Sequence, residues 1–199
     1  MNIQTITLIS ALAGVAAHAQ ENAGASPVRQ VTVCVQNAAY GAATQARGLA
    51  SDMFAAIGVN IDWRQGFSRC PQQSIMISFT DDTPTSLKPG ALAYALPYEG
   101  THIRVFHDRI AQTYGTTLLP PLMAHVFVHE ISHILEGVSR HSASGIMKAH
   151  WGAGDFSEMR RKHLEFADED IDLIYRGLAA RATRAVVAIN TAAGQIAAQ

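Results

Sequence analysis

The sequence predicts an α+β fold built around a mixed β-sheet, and three observations support this class. Strand-like and helix-like patterns follow one another in the order strand, helix, several strands and then helices. Hydrophobic residues make up 48% of the 199 residues, which is enough to bury a sizeable core. No internal repeat and no linker divides the chain, so we expect one domain in residues 20–199.

Five short segments predict the strands of this sheet. They are rich in β-branched residues or alternate between apolar and polar residues, as strands do. The segments are residues 31–35, 59–63, 74–79, 91–96 and 102–107. Because the fourth segment lies between the breakers Gly90 and Pro97, we expect it at an edge of the sheet.

Four segments have the spacing of apolar residues that is typical of helices. They are residues 42–56, 121–136, 156–166 and 168–181. Pro121 suits the first position of the second helix, and Gly137 suits its end. The remaining residues, 182–199, are rich in small side chains, and we expect them to fray.

The charge of the chain excludes one class of function. Lys and Arg number 15 and Asp and Glu number 16, which gives a formal net charge of −1. A nucleic-acid-binding surface needs basic residues to neutralise phosphates, so we expect no nucleic-acid partner. The unusual count is histidine, at nine, and four of the nine lie between residues 125 and 141.

Residues 1–19 predict a cleaved secretory signal peptide. Residues 5–17 form a mostly apolar run, and the small residues Ala17 and Ala19 are typical of a signal-peptidase site. The run is shorter than the about 20 residues that a transmembrane helix needs. We therefore expect a secreted or periplasmic monomer without stable membrane insertion.

Cys34 and Cys70 are the two cysteines of the chain. In an oxidising compartment an isolated pair most often forms a disulfide. Two alternatives stay open, because the sequence does not give the distance between the two Cα atoms. They are a pair of buried thiols and a thiolate that caps a metal ion.

The central motif is HEISH at residues 129–133, an HExxH pattern in the second predicted helix. Residues four apart lie on one face of a helix, so the imidazoles of His129 and His133 can reach one zinc ion. Glu130 lies beside the first ligand and is placed to act as a general base. The motif therefore predicts one zinc ion and a catalytic glutamate.

A catalytic zinc site needs a third protein ligand and leaves its fourth position open to water. His141 follows His133 after seven residues, and Gly137 between them allows the chain to turn back toward the metal. The alternative third ligand is a glutamate on a later helix, and Glu158 is the best placed. Met147 lies six residues after His141.

The run HEISHILEGVSRHSASGIM resembles the metzincin zinc endopeptidases, whose HExxHxxGxxH pattern precedes a turn with a methionine beneath the metal. The likeness covers residues 31–151, and it is strongest to small secreted bacterial matrixin-like proteins. It implies a metzincin-like (zincin) catalytic domain with His141 as third ligand. It also implies a Met-turn at Met147, followed by a C-terminal helix.

The chain departs from the metzincin pattern at two places. Seven residues separate His133 from His141 where the family has five, and Gly137 lies four residues after His133 rather than three. Tyr94 stands where a histidine binds a structural zinc ion in matrixins, so we expect no second zinc ion there. No calcium-binding loop is recognisable either.

Further residues are expected around the metal. By analogy with the family, an extended polypeptide substrate binds along an edge strand that contains Ala91, Leu92, Ala93 and Tyr94. His125 lies one helical step before His129, and we expect it to pack behind the ligands. His150 and Trp151 either line the substrate pocket or pack.

These observations predict a secreted zinc-dependent endopeptidase that hydrolyses peptide bonds with Glu130 as general base. Two other hypotheses stay open. The first is a metal-binding or interaction module without turnover on a metzincin-like fold. The second is a gluzincin-like hydrolase that uses Glu158 as the third ligand.

Overall fold

A computed structural model describes residues 29–36, 41–83, 90–96 and 100–196 of the chain. The signal peptide expected in residues 1–19 lies outside the described residues. In chain order the elements are β1 (Arg29–Gln36), α1 (Gly41–Ala55), β2 (Val59–Gln65), β3 (Ile75–Thr80), β4 (Ala93–Ala95), β5 (His102–Phe106), α2 (His107–Glu136), α3 (Ala153–Met159) and α4 (Asp168–Ile196).

The five strands form one mixed sheet in the order β2-β1-β3-β5-β4. Four strands run parallel, and β4 pairs antiparallel with β5 at the edge. The expected fold class, a mixed sheet with packed helices, is confirmed. The edge strand is shorter than the expected residues 91–96, because its ladder with β5 runs only from Ala93 to Ala95.

The second helix, α2, begins directly after β5 and is 30 residues long. The expected start at Pro121 is wrong, because Pro120 and Pro121 both lie inside the helix. Each proline removes one backbone hydrogen bond from the helix. Burial of apolar side chains on either side of the prolines, such as Leu118 and Leu122, offsets that loss.

One stretch of α2, Thr117–Glu136, is long and apolar enough to cross a membrane by length and composition. Within the described residues it is the one helix with these properties, and 78% of the stretch is buried inside the protein. Its apolar composition is therefore accounted for by its place in the core.

The two C-terminal helices differ from their expected bounds. α3 begins at Ala153, three residues before the expected start, and ends at Met159 rather than at residue 166. In the segment beyond it, the backbone makes a tertiary contact: the N–H of Leu164 donates to Nε2 of His125 at 3.0 Å. α4 extends well beyond residue 181 through the segment expected to fray. Alanine-rich sequence favours the helix there.

The core between α2 and the sheet sets the orientation of α2. Phe127 packs against Phe79 of β3 and Trp63 of β2, with ring centroids 6.0 and 5.9 Å apart. Because a helix advances by 100° per residue, a side chain two positions further along lies on the opposite face. The packing of Phe127 on the sheet therefore directs His129 away from it.

Cys34 of β1 is disulfide-bonded to Cys70, with their Cα atoms 6.2 Å apart. The expected disulfide is confirmed, and the alternatives with free cysteines are wrong. Since Cys34 is fully buried, the bond attaches the loop after β2 to β1, an inner strand of the sheet.

Candidate metal centre

His129 and His133 lie one turn apart on one face of α2, with their Nε2 atoms 3.1 Å apart. Two nitrogen ligands at 2.0–2.1 Å from a tetrahedral zinc ion are about 3.3 Å from each other. The two nitrogens are therefore spaced to bind one zinc ion.

A backbone carbonyl orients each of these two imidazoles through its Nδ1 atom. Nδ1 of His129 lies 2.9 Å from the carbonyl oxygen of Ile146, and Nδ1 of His133 lies 3.2 Å from that of Val138. Because a carbonyl only accepts, each Nδ1 carries the proton and each Nε2 keeps a lone pair. This tautomer is the one that a metal ligand needs.

The environment of the two histidines also favours the uncharged imidazole. Burial lowers the pKa of His129 to about 3 and that of His133 to about 4, and neighbouring histidines act in the same direction. At neutral pH both imidazoles are therefore uncharged, which is the form that coordinates a metal.

The chain after α2 brings His141 to this pair. Gly137 ends the helix in the left-handed conformation with a φ of 70°, and its N–H donates to the carbonyl of His133. The ring of His141 then lies 5.4 Å from that of His129 and 5.0 Å from that of His133. One ligand atom from each of the three histidines lies within 4.8 Å of the others.

This donor set fits a zinc ion, because three imidazole nitrogens leave one tetrahedral position for water. It is the one such group of three or more among the residues that the structure describes. Glu158, the alternative third ligand, lies on α3, where its carboxylate pairs with Lys162 at 3.2 Å.

A tight turn follows the third histidine. Gly145 has a φ of 74°, and a Cβ there would lie 2.1 Å from the carbonyl oxygen of Glu165. The same oxygen accepts a hydrogen bond from the N–H of Ile146 at 3.0 Å. Met147 is fully buried, and its carbonyl accepts from the N–H of Ser142 at 2.8 Å. Backbone hydrogen bonds to Glu165 and to Ser142 thus hold the turn that contains Met147.

Glu130 is a buried carboxyl group beside the first histidine. Burial raises its pKa to about 8, while a hydrogen bond from the backbone of Ala95 acts in the opposite direction. A carboxyl whose pKa lies near neutrality can both accept and return a proton. The bond to Ala95 also connects α2 to the edge strand β4.

Glu130 and the three histidines line a cleft of about 920 Å³. The expected substrate strand lines the same cleft with Ala91, Leu92, Ala93 and Tyr94. His150, which is exposed, and Trp151 line it as well. The cleft therefore joins the candidate metal site to the edge of the sheet.

His125 lies outside the triad, and the backbone occupies both of its ring nitrogens. Nδ1 lies 2.7 Å from the carbonyl oxygen of Pro121, and Nε2 accepts the N–H of Leu164 at 3.0 Å. Burial lowers its pKa to about 4. The ring of Trp151 packs edge-on against His125 and His129, with centroids 6.1 and 5.5 Å away. His125 therefore contacts the site through Trp151.

Sequence reasoning missed a charged cluster beside the triad. Arg140 lies 2.7 Å from Asp170 and 2.6 Å from Glu169, and its guanidinium is 3.8 Å from Glu136. No motif spacing connects residues 30 apart. The one available signal was an arginine directly before His141 in a chain with 16% charged residues.

Archaemetzincin from Methanopyrus kandleri is a solved structure with a similar fold. The likeness covers 75% of this chain and 96% of that chain, with a TM-score of 0.54 and 12% sequence identity. The chain shares the fold of archaemetzincin. At this identity the likeness concerns the fold alone. No protein-family model and no curated protein matches the sequence.

Proposed function

We propose that this protein is a secreted zinc-dependent endopeptidase. The observation that carries the proposal is the convergence of three imidazole nitrogens within 4.8 Å in a cleft that also holds Glu130. A buried carboxyl beside such a triad is the arrangement that hydrolysis by activated water requires.

The proposed metal is one zinc ion, held by His129, His133 and His141. When bound, zinc supplies a Lewis acid that activates water and polarises the scissile carbonyl. Glu130 takes the proton of the attacking water and returns it to the leaving amine nitrogen. The hydrogen bond from Ala95 and the surrounding burial hold the Glu130 carboxyl in position for both transfers.

The proposed substrate is an extended polypeptide that binds along β4. This strand pairs with β5 on one side, and its residues line the cleft. Backbone pairing to an edge strand holds a peptide with little dependence on its sequence. The small side chains of Ala91 and Ala93 leave room for such a peptide beside the histidines.

The disulfide between Cys34 and Cys70 supports an extracytoplasmic location, because such bonds persist in oxidising compartments. We propose that residues 1–19 direct secretion and that the mature chain, residues 20–199, acts as a monomer. The mature chain contains both cysteines.

Glu130→Gln tests the proposed mechanism. Glutamine keeps the size of the side chain but does not take up the proton, so we expect unchanged zinc content. The rate of cleavage of an unfolded protein should fall by about 100-fold or more. Glu158→Gln, a matched change outside the triad, should leave both zinc content and rate unchanged.

The outcomes separate the competing functions. Full activity in Glu130→Gln contradicts the role of this carboxylate. A wild-type protein that binds zinc and cleaves no polypeptide is a non-catalytic module. Zinc binding that is lost in Glu158→Gln and kept in His141→Ala identifies a gluzincin-like site.

A further inference from the structure

His141 is the exposed member of the triad. The other two histidines project from a buried helix, whereas His141 belongs to the loop that follows that helix. A ligand on a loop holds its place only as well as its supporting backbone is fixed. The position of His141 therefore depends on how the residues on either side of it are held.

Arg140, which directly precedes His141, is anchored on α4. Its guanidinium donates to Oδ1 of Asp170 at 2.7 Å, to Oε2 of Glu169 at 2.6 Å and to Oγ of Ser142 at 3.2 Å. The Asp170 side chain has no exposed surface, and that of Arg140 is 26% exposed. Because the Asp170 carboxylate is shielded from water, its pair with Arg140 constrains geometry more than a fully exposed pair does.

Ser142, which directly follows His141, is anchored on the same carboxylate. Its hydroxyl donates to Oδ1 of Asp170 at 2.5 Å. Its backbone N–H donates to the carbonyl of Met147 at 2.8 Å. Both chain neighbours of His141 are thus held by one oxygen of one side chain.

Asp170 is itself firmly placed. Its second oxygen, Oδ2, accepts the backbone N–H of Ala167, the residue before α4, at 3.1 Å. α4 packs closely on α2: a Cβ on Gly177 would lie 1.6 Å from the carbonyl oxygen of Leu135. The carboxylate is therefore fixed relative to the helix that carries the other two histidines.

We propose that Asp170 is a positioning residue for the third metal ligand. By binding Arg140 and Ser142 together, it fixes His141 relative to the two histidines of α2. This inference rests on the zinc site proposed above. It explains how a loop two residues longer than the metzincin pattern still presents an imidazole to the metal position.

The test compares Asp170→Asn with Asp172→Asn in the full mature chain. Asp172 lies on the same helix and is exposed, so its substitution makes the same charge change away from His141. Zinc affinity is measured by competition with a chromophoric chelator. We expect Asp170→Asn to bind zinc about 10- to 100-fold more weakly and Asp172→Asn to bind as the wild type does.

The visible spectrum of the Co²⁺-loaded protein gives a readout that loss of stability alone does not change. We expect the tetrahedral cobalt bands to shift and weaken in Asp170→Asn, because the third nitrogen is no longer held in place. A purely structural role would lower the melting temperature of the metal-free protein while leaving the cobalt spectrum and zinc affinity unchanged. That result would overturn the proposal.

Ser142→Ala carries the test if Asp170→Asn does not fold. It removes one of the two side-chain contacts that Asp170 makes with the neighbours of His141, and it should weaken zinc binding several-fold. Wild-type zinc affinity in Ser142→Ala overturns the proposal in that case.

His141→Ala separates this proposal from the zinc site on which it rests. A wild-type protein that binds no zinc overturns both. Zinc binding that weakens in His141→Ala but not in Asp170→Asn overturns only the positioning role.

Discussion

The carbonyl oxygen of Ile146 lies 2.9 Å from Nδ1 of His129, so the turn that follows the third histidine also orients the first. The backbone N–H of Ile146 donates to the carbonyl of Glu165 at 3.0 Å. One residue thereby connects the first proposed ligand to the segment that precedes α4. A displacement of this turn should therefore change the metal site as well as stability.

Gly145→Ala is the substitution that should displace the turn. The residue has a φ of 74°, and the new Cβ would lie 2.1 Å from the carbonyl oxygen of Glu165. The backbone conformation costs about 1–2 kcal/mol and the steric conflict about 1–3 kcal/mol. We expect the free energy of unfolding to fall by about 2–5 kcal/mol in urea titrations, and zinc affinity to fall several-fold.

Gly66→Ala is the matched control for this change. Gly66 has a φ of 76°, but a Cβ there meets no atom within 4 Å. Only the cost of the backbone conformation applies, so the free energy of unfolding should fall by about 1–2 kcal/mol. Zinc affinity should be unchanged. Equal losses of stability in the two variants would show that the contact with Glu165 does not matter.

The parts of the site that the sequence predicts are those set by local geometry. The helical period alone puts His129 and His133 on one face, and Glu130 beside them. The disulfide between Cys34 and Cys70 was predictable because the chain offers no other pairing. The first two inferences need only the local sequence, and the third needs only the number of cysteines.

The parts that the sequence does not predict depend on distant residues. The sequence predicts that His141 returns toward the metal position, but it does not predict the hydrogen bond of Arg140 to Asp170, which lies 30 residues away. The start of α2 was misplaced because the local cost of Pro120 and Pro121 is outweighed by packing on the sheet. Tertiary contacts decide both features, and no spacing rule includes them.

His125→Ala tests the contribution of the histidine outside the triad. The change leaves the N–H of Leu164 without its partner, removes the side-chain hydrogen bond to the carbonyl of Pro121 and removes a ring that packs on Trp151. We expect a loss of about 2–4 kcal/mol in the free energy of unfolding. Zinc content should remain one per chain, because no nitrogen of His125 is available to the metal.

The stability effect of His125 should depend on pH in a defined direction. Burial lowers its pKa from 6.5 to about 4, so its contribution is fully present above pH 6.5 and is lost as the pH falls toward 4. The difference between wild type and His125→Ala should therefore shrink over that range. His150→Ala, a change at an exposed position, should alter stability by less than about 0.5 kcal/mol.

Glu136, in the last turn of α2, should contribute to stability with a pH dependence opposite to that of His125. Its side chain has no exposed surface, and neither carboxylate oxygen has a hydrogen-bond partner among the described residues. Burial raises its pKa from 4.5 to about 7; the charge of Asp170 adds to this shift, and Arg140 opposes it. The folded state therefore holds the proton more tightly than the unfolded state does.

Because the folded pKa lies above the unfolded one, the stability that Glu136 contributes is fully present below pH 4.5 and is lost as the pH rises through 7. Glutamine does not titrate, so Glu136→Gln does not lose this stability as the pH rises. Its free energy of unfolding relative to that of the wild type should therefore rise by about 2–3 kcal/mol between pH 4.5 and 8. Urea unfolding of the zinc-free proteins across this range measures the difference. Glu165→Gln, at a side chain that is 81% exposed, should show no such rise. If the difference in free energy of unfolding between Glu136→Gln and wild type were the same at every pH, the raised pKa of Glu136 would be contradicted. Only the titration of Glu136 can make that difference depend on pH, because an amide does not titrate.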